Sequence, residues 1–374
     1  GVGASTAAIT VNNTDGTCTA NFTNRTNKNL VINGACLVSQ RGTSSTASGY
    51  GTVDRFKVQA INVDEAPTQS QATISSGTTP YELGFRKSLK ITNGNQTSGA
   101  GAGDYITFAY RIEAQDMASS GWNYKSTSSF ISLSFYIKSS VAQSFGGFLR
   151  THDGSQMTFP FETGSLSADT WTKITRVIPG NGSIGFSDDT GTGLEIMIGA
   201  FWGTDYTASG KTLDAWSSYS NDSRLKDFPA STWYTTNDAT LEITGLQVEV
   251  SDHVTSFEHR SFAQELALCQ RYFFSVTGDN ADYPGCYTGG MARSGHFFWM
   301  CHFPVAMRTN PTYTGVSGNG QAYGDGDSNV FANSAAIVEG ASTTPNPRGM
   351  GMRASSAGGS MSNGNGYMYR FSGD

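Results

Sequence analysis

Four carboxylates lie in polar stretches where a glycosidase could carry its acid and its base: Glu162, Asp169, Asp188 and Asp205. Such hydrolysis needs two carboxyl groups flanking the scissile bond, about 5–5.5 Å apart for retention and about 6.5–9.5 Å apart for inversion. Spacing along the chain fixes no such separation, so no pair is selected. His152 and Asp153 fall in RTHDGS, which reads as a turn with a surface histidine. The chain has no G-x-S-x-G elbow and no supported Ser–His–Asp set. It also lacks H-E-x-x-H, P-loop and dinucleotide fingerprints. Cys18, Cys36, Cys269, Cys286 and Cys301 show no C-x-x-C spacing, so a zinc site has no support. They read as free, mostly buried thiols, with Cys18–Cys36 or Cys286–Cys301 bridges as the alternatives. GDGDSN at 324–329 is acidic like a calcium loop but lacks the glycine and glutamate placing of an EF-hand. No catalytic residue, metal or cofactor is expected.

Aromatic rings carry a stronger signal. A sugar ring presents an apolar face that can lie on a flat aromatic one. Trp202, Tyr206, Trp216, Tyr219 and Trp233 crowd into the polar stretch 201–236, and Trp122 and Tyr124 follow another Gly/Ser-rich run. On loops of a rigid scaffold these rings would form a glycan site. In the interior, or at a subunit boundary, they would simply pack.

The elements that must position them are strands. In DYITFAYRIEA, Ile106, Phe108, Tyr110 and Ile112 alternate on one face. Leu194, Ile196 and Ile198 do the same, and so do Leu241 and Ile243, followed after Gly245 by Leu246, Val248 and Val250. A period of two marks half-buried strands. SSFISLSFYIKSS is read with Phe130, Leu133 or Ser134, and Phe135 or Ile137 inward, and TWTKITRVIP with Trp171, Ile174 and Val177 inward. Gly-, Asn- and Ser-rich runs such as TNGNQTSGAGAGD separate the strands as turns. Many short strands with this punctuation predict an all-β fold: an antiparallel sandwich or jelly roll. Ser261 caps a helix within 257–273, with Glu265 close behind and a stripe of Phe262, Leu266, Leu268 or Cys269, and Phe273. The expected organisation is an arm at 1–28, the jelly roll at 29–256, a connecting helix at 257–273 and a smaller β-rich tip at 274–374. Gln247 and Glu249 are placed on the polar face of the last sandwich strand. Arg271 and the Asp54–Arg55 pair are expected to form buried ion pairs across the domain.

The order of several segments resembles a known family. NLVINGACLVSQRGTS at 29–44 and GYGTVDRFKV at 49–58 are similar to the opening of a domain common in bacteriophage tail-fibre and related virion proteins. SLKIT at 88–92, ISLSFYIKSS at 131–140 and TWTKIT at 170–175 look like the middle strands of its carbohydrate-binding-module-like jelly roll. LEITGLQVEVSDHVTSFEHRSFAQELALCQRYF at 241–273 resembles its closing signature. Arg41, Asp54, Arg55, Phe257, Glu258, Arg260 and Arg271 are the signature positions, and their chemistry points to scaffold. The resemblance implies a non-enzymatic virion surface protein, assembled in the host cytoplasm, trimeric, in contact with other virion proteins and binding host surface polysaccharide. Only 28 residues precede the signature here, against a long anchor in the fibres. That favours a second expectation, a capsid decoration or head-fibre protein. A polysaccharide depolymerase is the third.

Composition agrees with a folded β-protein. Of 374 residues, 14% are charged and 12% aromatic, where disorder would need few aromatics and much charge. The net charge of −6 comes with scattered lysines and arginines, which gives nucleic acid no basic stripe to bind and anionic lipid no polybasic patch. No apolar run reaches the ~18 residues of a transmembrane helix, and six Asn-X-Ser/Thr sites are what a chain this rich in Asn, Ser and Thr contains by chance.

Overall fold

The computed structural model describes residues 9–11, 18–20, 27–227, 230–277, 291–293, 296–316, 348–355 and 368–372. In chain order the strands are β1 (Ile9–Val11), β2 (Cys18–Ala20), β3 (Ser44–Ser45), β4 (Phe56–Ile61), β5 (Thr68–Thr73), β6 (Lys87–Thr92) and β7 (Tyr105–Glu113). They continue with β8 (Phe130–Ser139), β9 (Ser144–Thr151), β10 (Met157–Ser165), β11 (Thr172–Pro179), β12 (Thr192–Trp202), β13 (Ser217–Ser218) and β14 (Thr240–Glu249). Beyond these lie β15 (Phe273–Thr277), β16 (Met291–Arg293), β17 (His296–His302), β18 (Thr312–Val316), β19 (Gly349–Ser355) and β20 (Met368–Ser372). Short helices α1 (Thr79–Glu82), α2 (Ala114–Ala118) and α3 (Thr232–Thr235) join strands, and α4 (Phe262–Gln270) follows the last sandwich strand.

Two six-stranded sheets make the body: β13-β10-β9-β12-β7-β4 and β11-β8-β14-β6-β5-β3. The pairings within them are antiparallel. The chain passes repeatedly from one sheet to the other, as in a jelly roll, so the apolar residues of both sheets meet in one interior. Ile106, Phe108, Tyr110, Ile112, Leu194, Ile196, Ile198, Leu241, Ile243, Leu246 and Val248 all lie in that core. The fold class read from alternation is the one observed. After β14, β15-β20-β18 and β16-β17-β19 form two three-stranded antiparallel sheets, and β1 pairs with β2.

Two strand phases need correction. In β8 the inward set is Ile131, Leu133, Phe135 and Ile137, and Phe130 is only half-buried. In β11 it is Ile174 and Ile178, while Val177 is 42% exposed and Trp171 packs on the outer side with Tyr136 and Phe85. In each strand apolar residues occupy both faces, which makes either phase credible from sequence. By contrast, the phase change in β14 is a bulge: the register shifts between Thr244 and Gln247, and Gly245 sits at φ +66°. Glycine adopts this left-handed conformation without steric cost.

The family-like signature residues bind the two ends of the sandwich together. Glu258 accepts hydrogen bonds from the Asn29 and Asn27 amides, and Arg260 donates to the carbonyls of Val31 and Asn29. Glu265 Oε2 accepts the Asn33 N–H at 2.7 Å, and its Oε1 lies 3.6 Å from Arg260 Nη1. Gly34 lets the two segments close up, since a Cβ there would stand 2.1 Å from the Leu246 carbonyl oxygen. Phe257 packs edge-on against Phe85 at 4.8 Å. Gln247 and Glu249, expected on a polar outer face, are buried beneath this clasp; Gln247 accepts the Glu258 N–H and Glu249 accepts the Thr255 N–H and hydroxyl.

Arg271 forms the expected ion pair across the domain, and Asp54 is paired as well. Asp54 pairs with Arg41 at 3.5 Å, close in the chain. Arg55 stacks over the Tyr272 ring at 3.3 Å. Arg271 reaches across to Glu113 through two hydrogen bonds of 2.9 and 2.8 Å, and the Tyr272 hydroxyl donates to the same carboxylate. Burial alone would raise the Glu113 carboxyl; the bonds and charge of these partners outweigh it and hold it below the usual carboxylate range.

The helix differs from expectation in part. Ser261 caps it as expected, in a capping box whose reciprocal partner is Gln264. Its buried residues are Glu265 and Cys269, one turn apart, whereas Phe262 and Leu268 are exposed. The helix turns inward the carboxylate that satisfies Asn33; of the expected stripe, Cys269 and Phe273 are buried, Leu266 is half-buried, and Phe262 and Leu268 face out. Cys36 and Cys269 are free and buried, so no Cys18–Cys36 bridge forms. Cys286 and the 324–329 motif lie outside the described residues. No described helix is long and apolar enough to cross a membrane.

Candidate functional site

Because the even-numbered residues of β7, and of β12 as far as its bulge between Gly199 and Phe201, fill the core, the odd ones face away from it on the outer side of the first sheet. The same argument points Phe148 and Arg150 of β9 outward. Register then aligns three charged residues: Arg150 stands opposite Glu195, and Glu195 opposite Arg111. Arg111 Nε donates to Glu195 Oε1 at 2.8 Å, and His152 Nε2 lies 3.0 Å from Glu195 Oε2. The Glu195 side chain is 3% exposed, so its two partners hold the charge in place. Burial would push this carboxyl up, but the His152 bond and the Arg111 charge prevail and bring it down to about 2. A group so acidic is a poor proton acceptor near neutral pH; here it orients the Arg111 guanidinium and the His152 ring.

One half of the same face is covered by the chain between β12 and α3. Leu225 is fully buried against Tyr105, Ala109, Phe148, Met197 and Trp202. The Leu225 carbonyl accepts the Ala208 N–H, and the Arg224 carbonyl accepts the Thr158 hydroxyl. The Arg224 guanidinium lies 4.5 Å from the Tyr206 ring centre. At the edge of this cover stands Tyr219. Its N–H donates to the Gln156 carbonyl, and the Arg150 guanidinium lies 3.7 Å from its ring centre. Tyr219 is half-buried, and the row Arg150–Glu195–Arg111 runs away from it toward Lys57 on β4. Beyond Arg111 the face opens into a cleft lined by Tyr50, Arg111, Glu113, Tyr272 and Arg308.

The aromatics singled out in sequence divide accordingly. Trp233 is fully buried, with its indole N–H on the Thr240 carbonyl at 2.9 Å. Trp122 and Trp202 are likewise interior, donating to Ser129 and Gly146 carbonyls. These three are corrected from ligand-stacking rings to packing residues: each indole N–H finds a backbone acceptor, which is what lets it be buried. Trp216 is half-buried against Phe159, donating to the Pro179 carbonyl at 2.7 Å, and Tyr124 stands edge-on to Phe186. Tyr206 and Tyr219 stand on the outer face just described, with Trp202 buried beneath the cover on that same side.

Sequence reading missed Lys57, Arg111, Arg150 and Glu195, and took His152 for a plain turn residue. The signal was present: charged residues in the middle of strands whose other phase is apolar. The four candidate carboxylates fall on four separate places, Glu162 in β10, Asp169 and Asp188 in loops, and Asp205 in a 3-10 turn. No hydrogen bond joins any two of them among the described residues. No group of three or more His, Cys, Asp or Glu able to hold a metal occurs there either.

No family model and no curated protein matches this chain. Solved structures do. It is similar to the enzymatically active domain of bacteriophage CBA120 tailspike protein 4, at 11% identity and TM-score 0.32, over 60% of this chain and 22% of that one. It is similar to the N-terminal cellulose-binding domain of Cellulomonas fimi β-1,4-glucanase C, at 9% identity and TM-score 0.27, over 58% of this chain and 100% of that one. A xylan-binding domain of the CBM 22 type matches at 8% identity and TM-score 0.28, over 59% of this chain and 99% of that one. Ligand and role have to be argued from the site itself.

Proposed function

We propose that this chain is a non-enzymatic carbohydrate-binding protein that takes its ligand on the outer face of the first sheet. The observation that carries this reading is the pairing of a half-buried ring, Tyr219, with a registered row of polar groups, Arg150, Glu195, His152 and Arg111. Sugars need both: a flat apolar surface for the ring face and fixed donors and acceptors for the hydroxyls. Rigid strands hold the row, so little ordering entropy is lost on binding. The sequence signature at 29–58 and 241–273 supports a finer proposal, display on a virion surface as a tail-fibre-like homotrimer that meets host-cell glycans.

A glycan array probed with the purified chain tests the first proposal. Wild type should bind a defined set of glycans, and Tyr219→Ala should lose about 1–2 kcal/mol of affinity. Unchanged binding by that variant would remove the outer face as the site. Immunogold labelling of intact particles tests the virion proposal, and sedimentation equilibrium the trimer.

A further inference from the structure

The charge on this face is not that of the whole chain. The protein carries a net −6, yet the open part of β9, β12, β7 and β4 presents Arg150, Arg111 and Lys57 around the Glu195 carboxylate, with Glu113 at the edge of the cleft beyond Arg111. Glu195 is already shared between Arg111 and His152. Arg150 gives its Nη2 to Gln156 and stacks on Tyr219. Lys57 stands opposite Ala109, one diagonal step from Arg111, roughly 7–8 Å away between Cα atoms in an antiparallel pair. Among the described residues Lys57 makes no salt bridge. Burial and the like charge of Arg111 hold its ammonium below the usual lysine range. The carboxylates nearest in the chain are committed: Glu113 to Arg271 and Tyr272, and Asp153 to the Ser187 N–H. Two buried polar atoms of these strands, Thr107 Oγ1 and Arg150 Nε, have no hydrogen-bond partner. Like charges held side by side on a half-buried surface are unfavourable until an anion joins them.

We propose that the glycan bound here is acidic, with an oxyanion of the sugar, a carboxylate or a sulfate ester, seated between Arg111 and Lys57 while a neighbouring ring lies against Tyr219. This deepens the carbohydrate-binding reading above and rests on it. Arg150 and Arg111 are two strands apart, roughly 10 Å, which suits adjoining sugar units of one chain. Arginine offers paired donors to a planar carboxylate and lysine adds a point charge.

Titration calorimetry on the full chain tests it with four ligands: polygalacturonate, the same polymer after reduction of its carboxyls, dextran sulfate, and polyvinyl sulfate, which carries charge without sugar. Binding of polygalacturonate or dextran sulfate, but not of the reduced polymer or polyvinyl sulfate, is expected. Lys57→Gln and Arg111→Gln should each weaken it about tenfold, one charge-assisted hydrogen bond apiece. Lys57→Gln is the safer variant, because it breaks no ion pair of the fold. Equal affinity for the reduced polymer, unmoved by Lys57→Gln, would overturn the acidic preference and leave the carbohydrate reading standing. Equal affinity for polyvinyl sulfate would reduce the site to charge alone and overturn the proposal. Failure of every glycan, acidic or neutral, would remove both readings together.

Discussion

Replacing Glu195 by glutamine tests whether the row on the outer face is held by a buried charge. Glutamine keeps the size and one acceptor but removes the anion that Arg111 and His152 share. In the folded protein this carboxyl stays ionised down to about 2, against an ordinary 4.5. At ~1.4 kcal/mol per pH unit, that difference amounts to about 3 kcal/mol of stability. The Arg111 side chain is 38% exposed, so solvent screens part of the attraction. The expected loss at neutral pH is therefore about 2–3 kcal/mol. The sign follows from the lowered folded-state value: the advantage of wild type is complete above about 4.5 and disappears as pH falls toward about 2. Guanidinium unfolding followed by tryptophan fluorescence, run at pH 7, 4 and 2.5, measures it. A gap between wild type and Glu195→Gln that is below about 0.5 kcal/mol at pH 7, or one that does not shrink on acidification, would refute the argument.

Further expectations concern the scaffold. Gly245→Ala should cost about 1–3 kcal/mol in the same unfolding assay, because the position holds φ +66° and its Cβ would stand 2.8 Å from the Phe85 ring. Ser261→Ala should cost about 1 kcal/mol by removing the cap and its capping box, with Ser261→Asp restoring most of it. Burial pushes the Cys36 thiol up to about 12 and raises Cys269 as well. Both should therefore resist iodoacetamide in the native protein at pH 8 and react after unfolding, as read by peptide mapping; labelling of Cys36 at the rate of a free peptide thiol would contradict its burial.

How far the sequence carries the structure can be seen strand by strand. β7, β12 and β14 were legible because each has one apolar face and one mixed face, and the jump of phase at Gly245 even marked the bulge. β8 and β11 were ambiguous because Phe130, Val177 and Trp171 put apolar bulk on the outer side too. Helix α4 misled for a different reason: Glu265 is inward because the Asn33 N–H and Arg260 need it, a demand set by a segment 232 residues earlier. The site shows the same division. That Arg111 and Glu195 face outward follows from the alternation of their own strands. That they meet, 84 residues apart, follows only from the register of β7 on β12. Whether Trp122, Trp202 and Trp233 stack on a ligand or pack stays open in sequence, because an indole beside a polar loop looks alike whether it lies over a sheet or under it.

The stitching of Asn29, Val31 and Asn33 to Glu258, Arg260 and Glu265 has a consequence for how such a body can be deployed. The polypeptide arrives and departs at one corner, side by side. A unit built this way behaves as a cassette: it can be spliced into a loop of another protein, or threaded between neighbours, without the recipient having to span its width. Exchange of such cassettes would change the outer face that a carrier presents while leaving the carrier's own architecture intact.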